Sequence, residues 1–198
     1  MLRWTKFCAP RLSDARCVAL SERLLLLGGF GETESTGLRL HEAPLHAPQS
    51  NAEMLSPTST NLEWRSLVNG PLADRGGHGV AALTTGDSSE TVVVHGGYGA
   101  VEGNLGDLWL LESGGTWRPC TPKGVAPSAR AAHSLSPLYQ PANRTGGECL
   151  VYGGFGELAL DDVHIFQLGL AANDEGVWLQ VNGVALTLTL ALTLDHNT

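Results

Sequence analysis

The chain has 198 residues, 42% hydrophobic and 16% charged, enough apolar content for a core in one or two domains. Its 25 glycines and 10 prolines favour a β-rich chain with many turns over a helical one. Twelve Lys and Arg stand against 20 Asp and Glu, for a net charge of −8. That balance argues against a nucleic-acid partner, which needs clustered cations to displace counterions, and leaves a basic protein partner open. Cys8, Cys17, Cys120 and Cys149 form no C-x-x-C pair, so no zinc-ribbon or thioredoxin-type site is expected and the thiols read as free, in a reducing compartment. The N-terminus has no continuous apolar segment of a signal peptide, and no stretch of the sequence reaches the ~20 apolar residues of a spanning helix. The expectation is a soluble cytoplasmic chain without a membrane partner, in which the sequon Asn143-Arg144-Thr145 is a chance match.

In chain order, a short strand over residues 3–7 carries Trp4. After Arg11-Leu12-Ser13-Asp14 come a strand at Cys17–Leu20 and a leucine run that ends in Gly28-Gly29-Phe30-Gly31. Leu38–His41 reads as a third strand. Glu42–Asn61, rich in Pro, Ser, Thr and Asn, reads as a mobile linker to a fourth strand, Leu62–Leu67, which carries Trp64. The pattern then restarts. Arg75-Gly76-Gly77-His78 precedes Val80–Leu83, and Val92-Val93-Val94-His95 ends in Gly96-Gly97-Tyr98-Gly99. Asp107–Leu111 and Thr116–Cys120, with Trp117, complete the unit. In the third copy Arg130-Ala131-Ala132-His133 precedes Ser134–Leu138, and a second linker spans Tyr139–Glu148. Leu150-Val151-Tyr152 ends in Gly153-Gly154-Phe155-Gly156, followed by Asp162–Phe166 and Val177–Val181 with Trp178. The Val- and Leu-rich segments are short enough for strands, and Gly and Pro interrupt every window long enough for a helix. From Ala185 to Leu194 leucine alternates with period two. This stretch reads either as a strand on the last sheet or as a low-complexity tail over residues 182–198.

Arg-x-x-His, a diglycine closing the second strand, an acidic residue opening the third and a Trp on the fourth, in fixed order, resemble the kelch repeat. The resemblance covers residues 4–181. Its units, spaced by their tryptophans, are longer than the ~50 residues of that repeat class, which implies long loops. It implies an all-β fold: an incomplete β-propeller of about three four-stranded antiparallel kelch-type blades. These run roughly over 11–67, 75–120 and 130–181, with residues 3–7 belonging to a preceding blade. Closed propellers have about 4 to 8 blades. The expectation is therefore a fragment of a larger propeller, or a ring completed by another chain. An open ring exposes an apolar blade face and sheet edges, which invites self-association.

Gly28, Gly29, Gly96, Gly97, Gly153 and Gly154 are expected to let neighbouring backbones approach. Trp64, Trp117 and Trp178 are expected to anchor the sheets. By resemblance, Arg75, His78, Arg130 and His133 sit between blades. Their recurrence points to structure, since a catalytic site would break the repeat once. No elbow, P-loop or metalloprotease motif occurs, and the histidines form no copper ligand set, so no catalytic residue, metal or cofactor is expected. The resemblance implies a non-catalytic protein-interaction scaffold or adaptor. The alternative is an accessory kelch domain of an enzyme, such as a tRNA wybutosine-synthesis methyltransferase-like protein, whose catalytic domain is absent here. Partner binding is expected on the loops after the second strands, through Glu32, Glu34, Glu102, Glu157 and Asp161.

Overall fold

The computed structural model describes residues 10–32, 37–45, 63–85, 88–138, 147–169 and 175–181. Trp4 with its strand at 3–7, Glu34, most of both linkers, the sequon and the leucine alternation at 185–194 lie outside the described residues. Those residues contain 13 strands and no helix. In chain order the strands are β1 (Arg16–Ala19), β2 (Arg23–Leu27), β3 (Leu40–Pro44), β4 (Arg65–Ser66), β5 (Gly79–Thr84), β6 (Glu90–Gly99) and β7 (Gly103–Leu111). They continue as β8 (Trp117–Cys120), β9 (Lys123–Gly124), β10 (Ser134–Pro137), β11 (Glu148–Phe155), β12 (Ala159–Gln167) and β13 (Val177–Val181). They form three sheets, ordered β1-β2-β3-β4, β5-β6-β7-β8 and β10-β11-β12-β13-β9. Within each sheet the neighbours are antiparallel, except β13 and β9. The architecture is an open stack of propeller-type blades.

The middle sheet is buried on both faces, so β6 is a continuous valine run instead of an alternating one. Val92 and Val94 pack with Leu25, Leu27 and Leu40 of the first sheet. Val93, with Leu108 and Leu110, packs against Cys149, Val151, Phe166 and Trp178 of the third.

Several elements differ from the sequence expectation: β4 is only two residues long, β6 and β11 run through their diglycines, and β7 and β12 begin at Gly103 and Ala159, ahead of Asp107 and Asp162. The third strand of the first unit begins at Leu40, not Leu38. Leu38 is tied instead to the segment after β4, donating its N–H to Leu72 O and accepting from Gly70 N–H. The third sheet has a fifth strand, because Lys123–Gly124 pairs in parallel with Val177–Trp178. Two residues carry no period for a pattern to reveal.

The register also reassigns the first repeat. Isolated bridges join Ser13 to Phe30, Gly76 to Tyr98 and Ala131 to Phe155. The residues that follow, Asp14, Gly77 and Ala132, all have φ between 56° and 63°. Leu12 therefore holds the position of Arg75 and Arg130, and Ala15 that of His78 and His133. Arg11 is not the repeat arginine.

The sheets are joined through backbone. Gly29 N–H donates to Arg75 O and Gly97 N–H to Arg130 O, each at 2.8 Å. Nearer the axis, Gly77 N–H donates to Asp14 O and Ala132 N–H to Gly77 O. At these joints a side chain has no room. A Cβ on Gly28 would stand 2.5 Å from both Arg75 O and the His78 ring. One on Gly97, which has φ of 104°, would stand 2.8 Å from His78 Cβ. Gly97→Ala is expected to cost at least ~2 kcal/mol, combining the backbone penalty of about 1–2 kcal/mol with a steric clash. Gly115→Ala, at φ 82° with nothing within 4 Å, should cost only the backbone part. Chemical denaturation of the two variants measures the difference, and equal losses would remove the packing role of Gly97.

Candidate interaction rim

The second and third blades are each locked by an arginine clasp. Arg75 is buried and donates through Nη1 and Nη2 to the Asp107 carboxylate at 2.5 and 2.9 Å. It also reaches Gly96 O at 3.0 Å and Ala73 O at 3.1 Å. Arg130 repeats the arrangement with Asp162 at 2.5 and 2.8 Å, Gly153 O at 3.0 Å and Ser128 O at 3.0 Å. Its Nη2 adds Ser128 Oγ, so all five of the donors an arginine owns are satisfied. Bidentate pairing of this kind is specific to a planar guanidinium. Hydrogen bonding from Arg130 holds the Asp162 carboxyl down to about 2. Burial raises Asp107, but the hydrogen bonds and charge of Arg75 outweigh it and keep this carboxyl below its ordinary value. The second oxygen of each aspartate is steadied by the residue two positions on, Trp109 Nε1 at 2.8 Å in one blade and His164 Nε2 at 3.0 Å in the other. Sequence reading did not single out Trp109 or give His164 a role, because two unlike residues share one task.

The repeat histidines are buried between sheets. His78 has no hydrogen-bond partner on either ring nitrogen. His133 Nε2 lies 3.1 Å from His95 Nδ1, and His95 stands edge-on to Trp178 at 5.5 Å. Burial, reinforced by neighbouring cationic groups, pushes His78 and His95 down to about 3 and His133 to about 4. Among the described residues no group of three or more His, Cys, Asp or Glu could hold a metal. Trp178 is buried in the core shared by the second and third sheets. Trp117 packs at the edge of the other core, and the buried Nε1 of Trp64 has no partner. Cys120 and Cys149 are buried thiols and Cys17 is exposed; burial pushes Cys120 up to about 12.

Beyond the clasps, the connections after β2, β6 and β11 emerge at one end of the sheets. Glu32 lies in the first, Glu102 in the β6–β7 turn and Glu157 in the β11–β12 turn, and all three are exposed. Asp161 is exposed but lies on β12 itself, next to the clasp aspartate Asp162. The structure ties two of these connections together, because Asn104 Nδ2 donates to Gly156 O at 3.0 Å. Sequence reading took only carboxylates from this rim. The same turns also present Tyr98, Val101, Phe155 and Leu158, with exposures of 48%, 92%, 55% and 76%. Hydropathy assigns such residues to the core, so nothing in the sequence marks them as exposed. The opposite rim holds a cleft of about 330 Å³ lined by Leu20, Ser21, Arg23, Glu90 and Glu112, among others.

A stack of four- and five-stranded sheets with inner glycines, arginine clasps and inter-sheet backbone bonds defines a propeller of repeated blades, open at both ends among the described residues. Known proteins agree with this class. The chain is 27% identical over 196 residues to an F-box/kelch-repeat protein of Arabidopsis thaliana, covering 91% of this chain and 36% of that protein. It is 32% identical over 113 residues to host cell factor 1 of Homo sapiens, covering 56% of this chain and 5% of that protein, with the same figures in Rattus norvegicus. No family model matches. The chain is thus similar to kelch-repeat proteins, and it spans about a third of the length of the plant relative.

The histidines give the fold an acid limit. Unfolded histidine takes up its proton near its ordinary value of 6.5, whereas folded His78, His95 and His133 resist protonation until about 3 to 4. Between those values the unfolded state binds more protons, so stability is fully present above 6.5 and falls as pH falls. Asp162, held down to about 2, adds a second loss as pH drops below its ordinary range. Urea unfolding at pH 7.5, 6.0 and 4.5 should show a steady decline in the midpoint, and a flat profile would contradict burial of neutral histidines. Arg130→Lys should cost about 1–3 kcal/mol, since an ammonium cannot replace the bidentate pair and the Gly153 O bond together. Arg118→Lys, at a partly exposed ion pair, should change stability by less than about 1 kcal/mol.

Proposed function

We propose that this chain is a non-catalytic protein-interaction platform whose partner docks on the rim bearing Glu32, Glu102 and Glu157. The observation that carries this reading is the division of labour within each blade. The arginines, histidines and tryptophans of the repeat are consumed by packing, whereas the connections at one end are exposed and free of repeat constraint. The kelch-repeat relatives support an interaction role of this general kind. Neither Glu102 nor Glu157 has an ion-pair partner among the described residues, and the chain carries a net charge of −8. A basic partner therefore fits this rim better than an acidic one. Asp161 belongs to the same acidic surface from its place on β12. No helix among the described residues is long and apolar enough to cross a membrane.

Self-association is a second reading with its own observation. By register, Leu150, Tyr152, Val163, Ile165 and Val181 of the third sheet match Val93, His95, Leu108, Leu110 and Cys120 of the second. The second-sheet residues are all buried, whereas the third-sheet set is only partly covered, with Tyr152 53% exposed. The third sheet therefore presents a face built to receive another sheet.

Charge reversal separates the two surfaces. Glu102→Lys with Glu157→Lys should weaken a basic partner about tenfold or more and make the residual binding insensitive to salt, while leaving the sedimentation behaviour of the free chain unchanged. Ile165→Arg should abolish concentration-dependent association without touching the rim. Binding that ignores the charge reversal would remove the acidic rim as the docking surface.

A further inference from the structure

We propose that the paired hairpin tips of the second and third blades form one docking surface for an extended peptide segment with an apolar anchor flanked by basic residues. This rests on the reading of the chain as an interaction platform and assigns the chemistry of its partner.

The β6–β7 turn consists of Ala100, Val101 and Glu102, closed by pairing of Gly99 with Gly103; the β11–β12 turn consists of Gly156, Glu157 and Leu158, closed by pairing of Phe155 with Ala159. Val101 and Leu158 are 92% and 76% exposed, and Tyr98 and Phe155 at the bases of the same turns are about half exposed. A single exposed apolar side chain needs no explanation. Here four stand on or at the base of two neighbouring turns, and the Asn104–Gly156 hydrogen bond fixes the turns side by side. The backbones of Tyr98 and Phe155 are held by bridges to Gly76 and Ala131. The apolar surface is thus pre-organised, which lowers the ordering cost of binding.

Charge selects the occupant. Each tip places one glutamate beside its apolar residue. Neither carboxylate is ion-paired among the described residues, and residues 98–104 and 155–161 contain no Lys, Arg or His. A segment with an apolar side chain seated between Val101 and Leu158 would bring Lys or Arg on its flanks to Glu102 and Glu157. Arginine suits the site further because its guanidinium stacks on aromatic faces such as Tyr98 and Phe155. On the opposite rim, two of the carboxylates that line the cleft are already engaged. Glu90 accepts from Ser21 N–H and Oγ at 2.8 Å each, and Glu112 accepts from Arg118 at 2.9 Å. An acidic segment or a nucleic-acid strand would meet repulsion at the tips.

The test is a selection of random displayed peptides on the whole chain, followed by synthesis of the winners. Their affinities are measured by fluorescence polarisation for the native chain and for three variants: Val101→Ser with Leu158→Ser, Glu102→Gln with Glu157→Gln, and Glu22→Gln on the other rim. The proposal expects winners that carry Arg or Lys on both sides of a large apolar residue. Their affinity should fall about tenfold or more with the apolar pair changed. It should fall several-fold, with lost salt dependence, with the acidic pair changed, and stay the same with Glu22→Gln. Unchanged melting temperatures would confirm that these exposed substitutions leave the fold intact, and the acidic pair tests the same surface without altering its apolar side chains. Winners that are acidic, or that bind both tip variants at full strength, would overturn the tip assignment while leaving an interaction platform standing elsewhere on the chain. No winner above the level of an unrelated protein would overturn both.

Discussion

The fold depends on a close approach of backbones between successive blades. The N–H of the second glycine in one sheet donates to the carbonyl of the repeat arginine in the next, as Gly29 does to Arg75 and Gly97 to Arg130. Once those atoms are 2.8 Å apart, little else in the repeat is free to vary. The preceding glycine must lack a Cβ, since the arginine carbonyl and the histidine ring occupy its place. The arginine side chain is turned into the blade, where a buried cation must find full hydrogen bonding and a counter-charge. The aspartate within the third strand supplies that counter-charge, and the first glycine's carbonyl supplies the remaining acceptor. One backbone contact therefore accounts for four side-chain identities that lie far apart in sequence.

The first unit tests this chain of causes by departing from it. Leu12 stands at the arginine position, so no cation enters that blade from its own first strand. The aspartate position holds Arg39 instead. Arg39 donates to Gly29 O at 2.7 Å and to Asp74 at 2.7 Å, the residue just before the next blade's arginine. The clasp persists with its polarity reversed and its partner drawn from the neighbouring blade. A buried diglycine carbonyl is satisfied by a guanidinium in all three units, and the counter-charge comes from whichever chain segment passes closest. What the fold conserves is the satisfied carbonyl and the paired charge, and the residue positions that provide them are secondary.

This explains which parts of the architecture could be read in the amino-acid order. The diglycines, the Arg-x-x-His pairs and the tryptophans are local signatures, each fixed by one geometric demand, and they gave the blade count and the strand order. The reversed clasp was invisible because Arg39 and Asp74 are 35 residues apart and match no repeat pattern. That Leu12, not Arg11, aligns with the repeat arginines is resolved only by pairing register, through the shared bridges of Ser13, Gly76 and Ala131. The parallel β9 strand was missed because pairing of Lys123 with Val177 leaves no trace in a two-residue segment. On the rim the carboxylates were legible, since exposed turns favour them. Val101 and Leu158 were not, because hydropathy alone assigns such residues to a core.

The same constraint locates functional freedom. In the second and third blades the arginine, aspartate and glycines are bound to one another so tightly that substitution at any one leaves a buried charge, an unpaired carbonyl or a clash. Beyond the bridges that fix Tyr98 and Phe155, the side chains of Val101, Glu102, Glu157 and Leu158 leave that network and stand exposed. Their composition then carries information of another kind. A turn under no packing demand, standing in water, has no structural reason to hold Val101 or Leu158 at its tip, and exposing large apolar side chains works against solubility. Two such residues on turns bonded to each other call for a compensating benefit, and contact with another molecule supplies one. The rigid clasps beneath the turns hold that surface in one arrangement before any partner arrives.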